Sequence, residues 1–132
     1  ASSCDMLAPM KPLVIKDTTF ESNLIQGPLA GISCAPFRVL AHRYGSPAFC
    51  CSEMVSAKYL AQAKTPIKRY VHIDKREGPF CAQLSANDPS QLAQATQLMS
   101  RLGADIIDLN CGCPKNKIRS KNENWVGELG AG

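Results

Sequence analysis

Ala104-Asp105-Ile106-Ile107-Asp108-Leu109-Asn110-Cys111-Gly112-Cys113-Pro114 is an apolar run that closes in a polar turn bearing two thiols. Buried strands of a parallel sheet read as short apolar stretches, and the reactive groups of such folds stand in loops beyond the carboxyl ends of the strands. Pro114 stops the strand, and Gly112 lets the backbone turn or approach a ligand closely. Cys113 in that turn is a candidate acid, nucleophile or metal ligand. Asn110 must find partners for both its donor and its acceptor, which a bound polar ligand can supply. Cys111 is expected to point away and pack behind the site.

Upstream, strand and helix alternate. Leu13–Ile15 and Asn23–Gln26, flanking a polar turn at Asp17-Thr18-Thr19, suggest a short hairpin. Leu24 to Leu29 runs into Ala30-Gly31 as a first buried strand. Pro36 opens a helix whose Phe37, Leu40, Ala41 and Tyr44 form one apolar stripe, with Gly45 as its C-terminal glycine. Pro47 to Val55 is a second strand broken at Ser52-Glu53, Ser56 to Gln62 a short helix, and Thr65 to Glu77 a charged irregular connection. Phe80 to Leu84 is a third strand. Asp88 then caps a helix with Pro89 in its first turn, Leu92, Ala95, Met99 and Leu102 on its core face, and Gly103 at its end. The fourth strand is Ala104 to Leu109.

Such alternation means crossover units and a parallel sheet. Polar turns follow every strand alike, at Pro28-Leu29-Ala30, Ser52-Glu53, Gln83 and Asn110 to Cys113. A site fed by consecutive strand ends belongs to a (β/α)8 TIM barrel, whereas an open doubly wound sheet concentrates its site at one switch point. An eight-unit barrel takes about 250 residues, so this chain of 132 residues is expected to be an N-terminal half. Residues 1–22 would form an N-terminal segment with the hairpin, and residues 23–132 the first four βα units. A half barrel on its own would leave a sheet edge open and self-associate there.

The net charge of +4 suits an anionic partner without establishing one. No run of about 18 apolar residues exists to span a membrane, and the residues Ala1 to Met6 lack the charged and then apolar regions of a signal peptide. The seven cysteines are an odd number at scattered spacing, and Cys50, Cys51 and Cys81 lie inside apolar runs. That pattern indicates buried free thiols and a reducing, cytoplasmic compartment. Structural zinc needs a second ligand pair, and neither His42 nor His72 stands at ligand spacing, so no metal is expected. Glu53 is either half of a salt bridge or part of a site. Gln83 offers donor and acceptor together, to a heterocycle or to water. Lys115, Lys117, Arg119 and Lys121 form a solvated loop or a phosphate contact.

The ordered set Gly27-Pro28-Leu29-Ala30-Gly31-Ile32, Pro36-Phe37-Arg38, Ser52-Glu53-Met54-Val55, Gln83-Leu84, Asp88-Pro89 and Gly103 to Pro114 resembles the tRNA-dihydrouridine synthases, flavoprotein reductases built on a (β/α)8 barrel. The resemblance implies FMN across the barrel mouth, reduced by NADPH, and a tRNA substrate. Hydride would pass to C6 of a uridine, and Cys113 would deliver the proton to C5. Pro28, Leu29 and Ala30 match the segment that cradles the flavin, Gln83 a flavin-contacting amide, and Asn110 a residue that orients flavin or base. Leu29 replaces the usual Met, and Asn122 to Glu128 looks like extra sequence. The later strands, which in the family carry the remaining flavin contacts, have no counterpart, so this chain alone is expected to hold FMN weakly and not turn over. The rival readings are a reductase of the dihydroorotate dehydrogenase type and an inactive remnant.

Overall fold

The computed structural model describes residues 11–112. Cys113, the basic run from Lys115 and the Asn122 to Glu128 segment lie outside the described residues. The chain begins with β1 (Leu13–Ile15) and β2 (Thr18–Phe20), then β3 (Ile25–Gln26), α1 (Ala35–Gly45), β4 (Phe49–Cys51) and β5 (Val55–Ser56). It continues with α2 (Ala57–Gln62), α3 (Lys68–Val71), β6 (Phe80–Ser85), α4 (Pro89–Leu102) and β7 (Ile106–Leu109).

The larger sheet is parallel throughout. β3 pairs with β4, while β4 and β5 pair with successive halves of β6, and β7 lies along the opposite side of β6. The β4–β5 line is one strand interrupted at Ser52–Met54, so neighbours in space follow chain order. A doubly wound sheet reverses its order at a switch point, and a barrel does not. The arrangement is that of a barrel arc.

Period-two alternation assigns the two faces of β6. Phe80, Ala82 and Leu84 turn toward the helices and pack with Val55, Leu60, Ala95 and Met99. Cys81 faces the other way and packs with Phe49, Cys51 and Phe20. Phe20 comes from the antiparallel pair β1–β2, whose two-residue turn holds Lys16 in the left-handed region at φ 50°. That pair covers the inner face near the strand starts, with Phe20 edge-on to Phe49 at 5.6 Å.

Several elements differ from their sequence reading. The partner of Leu13–Ile15 is Thr18–Phe20, not Asn23–Gln26, because Ile25–Gln26 is drawn into the parallel sheet beside β4. The first parallel strand is only two residues long, since Pro28 cannot donate to a ladder. In α1 the buried positions are Ala35 and Arg38, whereas Leu40 and Tyr44 of the expected core stripe are exposed, Tyr44 at 77%. The side chain that seals this helix to the sheet is therefore a charged one. Ser46, not Gly45, takes the left-handed cap at φ 43°. Within the charged connection, Lys68–Val71 makes a single helical turn. In α4 the cap is as read, with Asp88 accepting from the Gln91 amide at 3.0 Å and Gly103 at φ 108°, but Leu102 is exposed.

Cys50, Cys51 and Cys81 are buried free thiols. Burial first, and the nearby Glu77 carboxylate second, push the Cys50 thiol from an ordinary 9.0 up to about 12. Below pH 9.0 both folded and unfolded chains keep this proton; above it only the folded chain does. Stability is therefore expected to fall between pH 9.0 and about 12. Urea unfolding of wild type and Cys50→Ala at pH 7 and pH 10 checks this, and the variant should lose less stability on going to pH 10.

Candidate functional site

Four strand ends supply the polar groups at one end of the sheet. After β3, the chain turns back on itself over residues 27–34. The Ser33 hydroxyl accepts from the Leu29 amide at 2.8 Å and donates to the Leu29 carbonyl at 2.9 Å, while the Ser33 amide donates to the same carbonyl at 2.9 Å. Gly31 completes the turn at φ +77°, where a side chain would be strained. The bonding turns the backbone inward and leaves Pro28, Leu29 and Ala30 exposed, Leu29 at 45%. Three small or apolar side chains held outward on this hydrogen-bonded loop could take the face of a flat ligand.

Glu53, just past β4, is buried, with one oxygen in a hydrogen bond and the other in an ion pair but no hydrogen bond. Its Oε1 accepts from the Gly31 amide at 2.5 Å, and its Oε2 pairs with the Arg69 guanidinium at 2.9 Å. Glu53 thus ties the 27–34 loop to α3, which favours the salt-bridge reading. Substituting Glu53→Ala leaves the Gly31 amide without its acceptor, and a loss of about 1–3 kcal/mol in unfolding free energy is expected by urea denaturation. Ser52 ties the next pair of strands, its hydroxyl accepting from the Gln83 amide at 2.9 Å and donating to the Glu53 carbonyl at 2.7 Å.

Gln83 stands on the central strand β6, only 6% exposed and between β5 and β7, so it is not an edge residue facing water. Its Nε2 donates to Asp108 Oδ2 at 2.6 Å, and its Oε1 accepts from Asn110 Nδ2 at 3.2 Å. Asn110 Oδ1 in turn accepts from the Gly112 amide at 3.0 Å, and the Asn110 amide donates to the Leu84 carbonyl at 2.8 Å. The two amides whose unmet polarity suggested a ligand therefore satisfy each other in part. Each retains one N–H and one lone pair, now aimed by a fixed network. Cys111 is exposed, its thiol directed to the Leu109 carbonyl at 3.5 Å, and does not pack behind the site as its position in the strand suggested.

The geometry thus gathers Pro28, Leu29, Ala30, Gln83 and Asn110 at one end of the sheet. Asp108, Ser33 and Ser52 join them; of these the sequence reading singles out only Ser52, in the polar turn Ser52-Glu53 after the second strand. Asp108 lies on β7 two places before Asn110, and the register that sets it opposite Gln83 brings it into the network. Ser33 had no signal in the sequence, because its role depends on loop closure. Arg38 also belongs here by its effect. It is 2% exposed, and its Nη1 donates to the Ser33 carbonyl at 2.8 Å. Among the described residues no group of three or more His, Cys, Asp and Glu side chains could hold a metal ion, and no helix is long and apolar enough to cross a membrane.

A parallel βα sheet in consecutive order, with its polar network at the carboxyl ends of the strands, defines a domain of the TIM-barrel class. The family model described as Dihydrouridine synthase (Dus) matches residues 25–123. The chain is 40% identical over 111 residues to the probable tRNA-dihydrouridine synthase 1 of Synechocystis sp., covering 84% of this chain and 31% of that protein. It is 38% identical over 104 residues to tRNA-dihydrouridine synthase B of Pseudomonas aeruginosa, covering 78% and 31%. With tRNA-dihydrouridine synthase B of Escherichia coli K12 the identity is 35% over 100 residues, covering 76% and 31%. The chain belongs to the dihydrouridine synthase family. It spans about a third of the length of the curated relatives it matches.

Proposed function

We propose that this protein is an FMN-dependent tRNA-dihydrouridine synthase, using NADPH to reduce a uridine of tRNA to 5,6-dihydrouridine in the cytoplasm. Residues 23–132 contribute the first four βα units of its barrel and residues 1–22 the leading segment. The observation that carries this reading is family membership joined to a mouth whose residues suit a flavin. An isoalloxazine has an apolar face and an edge of alternating donors and acceptors. The exposed Pro28-Leu29-Ala30 loop suits the face, and the spare N–H and lone pairs of Gln83 and Asn110 suit the edge. Bound FMN, once reduced by NADPH, supplies the hydride equivalent.

The chain's own residues orient and protonate. Ser33 and Glu53 fix the 28–31 backbone, and Asp108 fixes the Gln83 amide by taking one of its protons. Adding hydride at C6 of a uridine places negative charge on C5 and the adjoining carbonyl, and an acid near C5 completes the reduction. Cys113 supplies that proton from its Sγ–H. A thiol with an ordinary pKa of about 8.5 is protonated at neutral pH and competent as an acid. The target base leaves its stack to enter the mouth. Among the described residues the outer edges of β3 and β7 are unpaired, and we expect this chain of 132 residues, produced alone, to self-associate through such an open edge.

The test uses the full gene product with FMN and NADPH on unmodified tRNA, followed by nucleoside mass spectrometry. Dihydrouridine in the digest is the expected result. Reduction of a free pyrimidine without RNA would favour a dihydroorotate-type reductase instead. Absence of flavin from the full gene product would favour the inert remnant.

A further inference from the structure

From Ala57 to Ile73 the chain carries Lys58, Lys64, Lys68 and Arg69 and no Asp or Glu. The hairpin segment at the other end of the sheet is balanced by contrast, with Lys11 and Lys16 against Asp17 and Glu21. Lys58, Lys64 and Lys68 are exposed and pair with no carboxylate among the described residues. The segment adjoins the mouth. α2 starts directly after β5, whose Ser56 aligns with Ser85 at the end of β6. On α3, Arg69 reaches Glu53, the residue that holds the Gly31 turn.

The backbone bearing these cations is fixed. Ser56 Oγ accepts from the Tyr59 amide at 3.2 Å, and Tyr59 Oη accepts from the Ile67 amide at 2.7 Å. The Tyr59 and Tyr70 rings meet edge to face at 6.3 Å, locking α2 against α3. Lysines on a preorganised loop, with no anion of their own nearby, hold counterions that a polyanion displaces on binding.

We infer that the α2–α3 surface is a docking site for the phosphate backbone of the RNA, beside the mouth that takes the base. This rests on the reading of a tRNA substrate given above. The ligand groups are phosphodiesters, recognised by charge and not by base identity. The surface therefore contributes affinity common to many tRNAs and leaves the choice of uridine to other contacts.

The experiment measures tRNA binding by the FMN-loaded full gene product across a range of salt. It compares wild type, the double variant Lys58→Glu with Lys68→Glu, and the control double variant Lys11→Glu with Lys16→Glu, which makes the same change in net charge. The variant at Lys58 and Lys68 should raise Kd by roughly tenfold or more at low salt and reduce the slope of log K against log salt by about 2, at roughly 0.9 for each phosphate that the protein no longer neutralises. The control should stay near wild type, and flavin absorbance should be retained in all three. Equal effects in the two double variants, or none in either, overturn the inference while leaving the substrate reading intact. Failure of wild type to bind tRNA overturns the substrate reading and this surface with it.

Discussion

Replacing Cys113 with Ala in the full gene product is expected to lower dihydrouridine formation by about 10²–10⁴-fold, the usual contribution of a positioned general acid. NADPH oxidation by the flavin should continue, because in the proposed mechanism the thiol acts only on the pyrimidine. The two readouts separate roles that a single activity assay would merge. An acid that completes the reduction leaves the first half-reaction intact, whereas a residue that builds the flavin site lowers both. Cys113→Ser is the informative companion. A hydroxyl is a far weaker acid than a thiol, so it should rescue little of the rate despite its similar size. Product formation at the wild-type rate in Cys113→Ala would remove the assignment. The neighbouring Cys111 supplies an internal control. It is exposed and lies one residue from the amide–carboxylate network, so Cys111→Ala should leave both half-reactions close to wild type.

The sequence was most legible where one physical rule acts alone. α4 could be placed from Asp88, Pro89 and Gly103 because capping and left-handed termination are local, and its bounds of Pro89–Leu102 follow from them. The strands β4 and β6 could be placed because burial on both faces selects short apolar runs, and β7 could be placed from its apolar run although its faces are half-buried or exposed. Polar turns after every strand imply a sequential sheet order, and the pairings carry it. Legibility failed where two rules compete. Periodicity puts Leu40 and Tyr44 of α1 in the core, yet the chain buries Arg38, because one ion pair and two carbonyls bind it from three directions. In the site, residue types name the participants but not their partners. Gln83 and Asn110 read as amides in need of a ligand, and their mutual bond through Nδ2 and Oε1 spans 27 residues of sequence. Asp108 completes that network from β7, and only the β6–β7 register reveals it.

Arg38→Ala should be the most damaging substitution for stability among the described residues, with an expected loss of about 3–5 kcal/mol in unfolding free energy. The guanidinium binds Glu77 through two bonds, Nε to Oε2 at 2.7 Å and Nη2 to Oε1 at 3.0 Å. It also donates to the Ser33 carbonyl at 2.8 Å and the His72 carbonyl at 2.9 Å, and stacks 4.5 Å from the centre of the Phe80 ring. The pair is almost wholly removed from water, with side-chain exposures of 2% and 0%. Truncating the arginine strands a buried carboxylate together with two carbonyls, and each loss compounds the others. A double change, Arg38→Met with Glu77→Leu, removes the stranded charge but still leaves both carbonyls and the Asp74 amide, which donates to Glu77 at 2.9 Å, without partners. At about 1–3 kcal/mol for each unmet group, the double variant should recover little of the loss, unlike an ion pair that serves only itself. The same arginine also holds the loop of the proposed flavin site, since Ser33 connects its guanidinium to both polar atoms of the Leu29 backbone. Arg38→Lys keeps the charge but not the fork, and should therefore weaken flavin affinity along with stability. Urea unfolding and flavin titration of the full gene product measure the two effects. A loss below about 1 kcal/mol for Arg38→Ala would mean that this network does not hold the first βα unit to the sheet.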